Sequence, residues 1–188
     1  FVKNEFLYKY KRLPKNKGVG GGRNEGFDMA RGKYVYFMDD DAVIDSNCTD
    51  TFFVKSIEIM DRNQKIATLT TRIWDEILQD NRTPNCSKHC TIEGFNTISM
   101  FMGGSHFVRT KAFEKPLYPN FKYAFEEIIP SFIALDKGYY NLYYPEISII
   151  HKPRINKWLD GTKQKKDILC RGNAGLLASK YLLYPVIF

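Results

Sequence analysis

Three adjacent carboxylates, Asp39, Asp40 and Asp41, follow directly on the apolar run Tyr34-Val35-Tyr36-Phe37-Met38. Neighbouring carboxylates repel one another, and a bound cation removes that cost. Hard oxygen donors suit Mg²⁺ or Mn²⁺. If residues 33–38 form a buried strand, the triplet sits at its carboxyl end, where open α/β sheets place their ligand crevices. The bland alternative is an acidic turn running on to Asp45.

Three further constellations carry chemistry. His151 closes another strand-like run, residues 139–151. A lone histidine is more often structural, but this position would let it join the Asp cluster. Glu126-Glu127 opens a segment expected to be helical over residues 125–137, with Pro130 in its first turns and Gly138 as its stop. There the pair either complements the helix dipole or supplies a general base to a cleft. Successive helical residues point about 100° apart, so the two carboxylates are not expected to face one point. The third is the glycine-rich run 18–22, followed by Arg23-Asn24. Glycines admit close backbone approach to a ligand, and a helix start favours phosphate. The dinucleotide fingerprint fails, because the sixth residue from Gly18 is Arg23, and no P-loop Gly-Lys-Ser/Thr occurs. A plain flexible loop explains this run equally well.

The elements that must position these groups alternate. The pattern predicts a short strand at residues 6–10, a breaker region at 14–22 and a helix at 24–31. A second helix, capped by Asp45 or Ser46, runs to Arg62, and a strand follows at 66–74. Residues 75–93 read as a polar loop. An extended piece covers 95–102, ended by Gly103-Gly104, and a short strand covers 106–109. A last helix is expected over 164–184. This is an α/β layout with a largely parallel sheet flanked by helices.

The chain has 188 residues, which suits one domain, 1–188, and 44% hydrophobic residues, enough for a real core. Its net charge of +7 admits nucleic acid, an anionic membrane surface or a phosphorylated substrate. Four Cys are too few for a disulfide scaffold, so free thiols in a reducing compartment are expected. Cys86, His89 and Cys90 lack the second ligand pair of a structural zinc site. Sequons stand at Asn47, Asn81 and Asn85, but no signal peptide is visible. No run of 18 apolar residues occurs. The expected location is the cytoplasm, with peripheral association at the inner membrane face as its variant.

Taken in order, these features resemble the family 2 glycosyltransferases and their nucleotide-diphospho-sugar transferase (GT-A) fold. NKGVGGGRNEGFDMARGKYVYFMDDDA is similar to that family's Asn-Gly, Arg-Asn and Asp-x-Asp segment. GGSHFVRTKAF resembles the stretch before the acceptor region. FEEIIPSFIALDKGYYNLYYPEISIIHKP resembles the helix with an acidic pair and the strand ending in His. CRGNAGLLASKY is similar to a C-terminal helix of the rhamnosyltransferase-like branch. The resemblance covers residues 14–183. The family's first strand, with its nucleobase-contacting Asp, is not in this sequence, and the pair is Glu-Glu where many members have Glu-Asp.

The resemblance implies roles. Asp41 and His151 would bind Mn²⁺ or Mg²⁺, and Asp39 and Asp40 would face the ribose or diphosphate. Arg23 and Asn24 would line the nucleotide side, and Gly103 and Gly104 would admit donor or acceptor. Glu127 would deprotonate the acceptor hydroxyl, giving inversion at the anomeric carbon. The partners implied are a UDP-, dTDP- or GDP-sugar and a carbohydrate or other hydroxyl acceptor, not nucleic acid. The rivals are a nucleotidyltransferase of similar fold and a basic polyanion-binding module. The second leaves the Asp triplet unexplained, since acid clusters repel phosphate unless a metal intervenes.

Overall fold

The computed structural model describes residues 8–84, 86–119 and 125–153. The helix expected at 164–184 and the segment 170–181 lie outside these residues. Residues 8–10, placed in a strand by the sequence pattern, have no regular structure.

The described elements run α1 (Gly18–Met29), β1 (Tyr34–Met38), β2 (Ala42–Ile44), α2 (Phe52–Arg62), β3 (Ile66–Asp75), β4 (Asp80–Arg82), β5 (Cys86–Ile92), β6 (Phe95–Ile98), β7 (Ser105–Arg109), α3 (Ile128–Asp136) and β8 (Tyr140–His151). One sheet has the order β1-β7-β3-β8-β6-β5, with β2 joined to β8 and β4 to β3. Strand alternation splits the core between its faces. Leu69, Phe107, Leu142 and Tyr144 pack with Phe52, Ile59 and Met60 of α2. Ala67, Val108 and Tyr143 pack on the opposite face with Phe27 of α1 and Ala134 of α3. The result is a sheet covered by helices on both sides, the α/β class the sequence implies.

The sheet is less parallel than the alternation of elements suggested. Among the described residues only β3–β8 is a parallel pair; the β1–β7, β3–β7, β2–β8, β3–β4, β5–β6 and β6–β8 pairs are antiparallel. Short links explain this, because a parallel pair needs a crossover of a dozen residues or more. The run 75–93 is therefore not simply loop. Its β5 turns into β6 through Glu93 and Gly94, whose φ angles of 54° and 82° suit a tight hairpin.

Three strands nevertheless share one direction, and that decides where the chemistry falls. β1 is antiparallel to β7, β7 is antiparallel to β3, and β3 is parallel to β8. The carboxyl ends of β1, β3 and β8 thus lie at one edge of the sheet, and the amino end of β7 joins them.

One other expectation shifts. α2 starts later than Asp45 or Ser46 would have set it. The Asp45 carboxylate instead accepts the Asn47 N–H at 3.0 Å and the Ser148 hydroxyl at 2.7 Å, tying the chain to β8. The buried face of α2 is Phe52, Ser56, Ile59 and Met60, a helical spacing. Phe53 and Ile57 are exposed. No helix among the described residues is long and apolar enough to cross a membrane.

Candidate active site

Asp39 and Asp41 stand just past the end of β1, and His151 ends β8. One ligand atom from each lies within 4.8 Å of the other two. Two carboxylates and an imidazole form a donor set suited to a divalent cation of the Mn²⁺ or Mg²⁺ class. The residues therefore fit the metal that the sequence implied. His151 Nε2 lies 3.3 Å from Asp41 Oδ1. Asp40 is exposed and outside this trio.

Asp75 is the residue that sequence reasoning missed. It ends β3 and pairs in register with His151. Its Oδ2 lies 3.2 Å from His151 Nδ1, and it is 1% exposed. Burial alone would raise its pKa, but the Leu78 N–H, Arg82 and His151 outweigh this and hold it at about 2. A carboxylate at Nδ1 favours the proton there, and Nε2 would then offer its lone pair to a cation held with Asp41. The available signal was an Asp ending a buried strand, the same pattern as Asp39. Asp75→Asn is expected to weaken Mn²⁺ affinity ~10–100-fold without unfolding the chain, by calorimetry with the nucleotide present. Unchanged affinity would show that the Asp75–His151 contact is only structural.

The second half of the site is built around Arg23, on α1. Its Nη1 donates to Glu126 Oε1 at 2.8 Å and Glu127 Oε1 at 3.0 Å. Its Nη2 donates to Asp39 Oδ1 and the Gly103 carbonyl, both at 2.9 Å. The guanidinium also lies over the Tyr118 ring at 5.7 Å. Asn24, the next residue, donates to the Tyr118 carbonyl at 2.9 Å and accepts the Tyr118 N–H at 2.8 Å. Both residues expected on the nucleotide side thus make protein contacts that fix α1 to the site.

The glycine run is helix rather than loop. Asn16 Oδ1 accepts the Gly18 N–H at 2.7 Å, opening α1 several residues before the expected start at 24. A Cβ at Gly20 would fall 2.7 Å from the Pro119 carbonyl, so glycine there allows α1 to approach the 118–119 segment. Gly103 and Gly104 make room for the site's own carboxylates. A Cβ at Gly103 would lie 1.7 Å from Glu127 Oε1, and one at Gly104 would lie 3.3 Å from Asp39 Oδ2.

Glu126 and Glu127 precede α3 instead of lying within it, so the 100° rule does not govern them. Phe125, just before, has φ 62°, a left-handed conformation costly for a bulky residue. That turn brings both carboxylates onto one nitrogen of Arg23, against the expectation that they diverge. Burial first, then the Glu126 charge, raise the Glu127 carboxyl to about 7 against the opposing pull of Arg23. Glu126 is 4% exposed, and its Oε2 has no hydrogen-bond partner among the described residues. A carboxyl poised near neutrality, joined through Arg23 to a trio that could hold a cation, can accept a proton from a hydroxyl at physiological pH.

Beneath them, His106 is buried between Phe37 and Phe101. Burial and the Arg23 charge push its pKa well below the usual value, keeping it neutral. It bridges the Gly103 carbonyl, 3.0 Å from Nδ1, to the Tyr118 hydroxyl, and so supports the floor of the site.

The family model "Glycosyl transferase family 2" matches residues 1–116. Among solved structures, the crystal structure of GalNAc-T7 with UDP, GalNAc and Mn²⁺ is similar at TM-score 0.58 and 15% identity. The match covers 79% of this chain and 33% of that one, so this chain spans about a third of that protein's length. A197 from STIV aligns at TM-score 0.45 and 11% identity, covering 68% of this chain and 62% of that one. No curated protein matches.

Proposed function

The chain belongs to glycosyl transferase family 2 and has a GT-A glycosyltransferase fold, and from that premise we propose that it transfers a sugar from a nucleoside-diphosphate donor to an acceptor hydroxyl with inversion. The observation that carries this reading is the meeting of two groups at one sheet edge. One is the Asp39, Asp41 and His151 trio; the other is the Glu127 carboxyl, joined to Asp39 through Arg23.

Glu127 is the general base in this reading. An acceptor hydroxyl has a pKa far above 7 and attacks only as its proton leaves. A carboxyl raised to about 7 is strong enough as a base and still largely ionised just above neutrality. The proton moves to a carboxylate oxygen of Glu127 as the hydroxyl attacks the anomeric carbon on the face opposite the leaving diphosphate. Asp39, Asp41 and His151 would hold the divalent ion, with Asp75 fixing the imidazole. When bound, the ion supplies positive charge that offsets the charge developing on the departing nucleoside diphosphate. The single domain assigned to 1–188 is part of the same proposal, as are a cytoplasmic setting and a nucleotide-sugar donor of the UDP, dTDP or GDP class. The UDP and Mn²⁺ in the GalNAc-T7 crystal are ligands of the class this site is proposed to take.

The test is a donor panel. UDP, GDP and dTDP sugars are each added with Mn²⁺ and with EDTA, and melting is followed. A nucleotide at ~100 times its Kd stabilises by about 2.7 kcal/mol, or roughly 5–10 °C for a chain of this size. The shift is expected only with metal and nucleotide together, because the trio alone offers few ligands. The absence of a metal-dependent shift with every nucleotide would overturn the transferase reading. A shift with metal-free polyanions would favour the polyanion-binding one.

A further inference from the structure

We propose that Arg23 is a positioning residue for the general base rather than a ligand of the nucleotide donor; this rests on the transferase reading and on Glu127 as the base. The protein already occupies the hydrogen-bond capacity of this side chain. A guanidinium carries five N–H groups, four of them on its two terminal nitrogens. Those four have four acceptors: Glu126 Oε1, Glu127 Oε1, Asp39 Oδ1 and the Gly103 carbonyl. A diphosphate could take a terminal N–H only by displacing one of them. The side chain is also 12% exposed and lies over the Tyr118 ring, which leaves little of it facing a cleft.

The same four bonds assemble the site. Two adjacent carboxylates repel each other, yet Glu126 and Glu127 share one nitrogen. Remove the guanidinium and nothing described holds them together. The second nitrogen grips Asp39, which belongs to the cation trio, and the Gly103 carbonyl, whose residue makes space for the Glu127 carboxylate. Arg23 therefore sets the distance from the base to the donor site through one rigid plane. The charged and titratable groups around Glu127 are Arg23 from α1, Glu126 from its own turn, and Asp39, Tyr118 and His106 beyond the guanidinium. Lysine cannot substitute, because an ammonium is a point charge without the planar fork.

The test uses the full chain and two variants, Arg23→Lys and Arg23→Gln, each first shown to melt cooperatively. Nucleotide affinity is measured by calorimetry with UDP, GDP and dTDP in Mn²⁺. Turnover is measured as nucleoside diphosphate release from whichever donor sugar the wild type uses. Misplacing a reacting group by about 1 Å can cost ~10²-fold, so Arg23→Lys is expected to lower kcat by about that factor. Its nucleotide Kd should stay within about threefold of wild type, the pattern of an interaction made only in the transition state. Arg23→Gln should lose at least as much turnover. A Kd weakened tenfold or more would make Arg23 a donor ligand and overturn the proposal. So would a kcat unchanged in Arg23→Lys. A wild type that binds nucleotide but turns over no donor would overturn the transferase reading and this inference with it. A wild type that turns over normally beside an Arg23 variant with lost affinity would overturn this inference alone.

Discussion

Glu127→Gln is expected to lower kcat ~10²–10⁴-fold, the usual cost of removing a general base, while the nucleoside diphosphate binds as before. Glutamine keeps the size of the side chain over Gly103 and can still meet Arg23, so the site should keep its shape. What it cannot do is take a proton from a hydroxyl. The wild-type carboxyl stands at about 7, raised first by burial and then by Glu126. The base is its ionised form, so kcat/KM should climb as pH rises through about 7. The residual activity of Glu127→Gln should lack that limb. Glu126→Gln should cost less, because the Glu126 side chain is 5% exposed against 13% for Glu127, although both are bound to Arg23. It is better placed to hold its neighbour than to meet a substrate. The comparison is kcat and pH profile for the two variants side by side, with Kd by calorimetry. Near-normal turnover in Glu127→Gln with a large loss in Glu126→Gln would reverse the two roles. No loss in either would place the base elsewhere.

The parts of this site that the sequence revealed are those set by position along a strand. An acidic triplet after five apolar residues and a histidine closing a long strand can both be read from pattern alone, and β1 and β8 do bring Asp39, Asp41 and His151 together. Asp75 escaped notice because its one local mark, a single acid ending a buried strand, does not show which residue it meets. Its partner is 76 residues away, and only the parallel β3–β8 register sets the two side by side. The glycines misled for a related reason. Local propensity assigns a run such as 18–22 to loop, but the tertiary need for α1 to lie against Pro119 makes it helix. The convergence of Glu126 and Glu127 was illegible because it depends on the left-handed Phe125, which no propensity favours. Arg23 was legible as a motif residue but not as to its partners. All four of its acceptors come from segments 16 to 104 residues away.

Asp41→Ala is expected to remove metal-dependent transfer, a loss of about 10³-fold or more, since a catalytic cation contributes several kcal/mol and each 1.36 kcal/mol is tenfold in rate. The fold should survive. The Asp41 side chain is 30% exposed, and its described contact is the 3.3 Å approach to His151. The structural bond at this position is made by the backbone, where the Asp41 carbonyl accepts the Lys152 N–H at 2.7 Å, and alanine keeps it. Taking away one of three neighbouring carboxylates also relieves repulsion. The metal-free melting temperature should therefore stay level or rise slightly. Asp40→Ala serves as the control, because Asp40 is exposed and outside the trio; it should keep most of the activity and the full metal-dependent thermal shift. The measurements are product formation in Mn²⁺ against EDTA and melting with and without nucleotide. If metal-free Asp41→Ala melts far below wild type, the triplet is a structural turn. If Asp40→Ala and Asp41→Ala lose the metal response equally, the cation is held by the turn as a whole. The distinction matters because a trio built from the ends of two strands, β1 and β8, can fix the ion relative to Glu127, whereas a flexible acidic turn cannot.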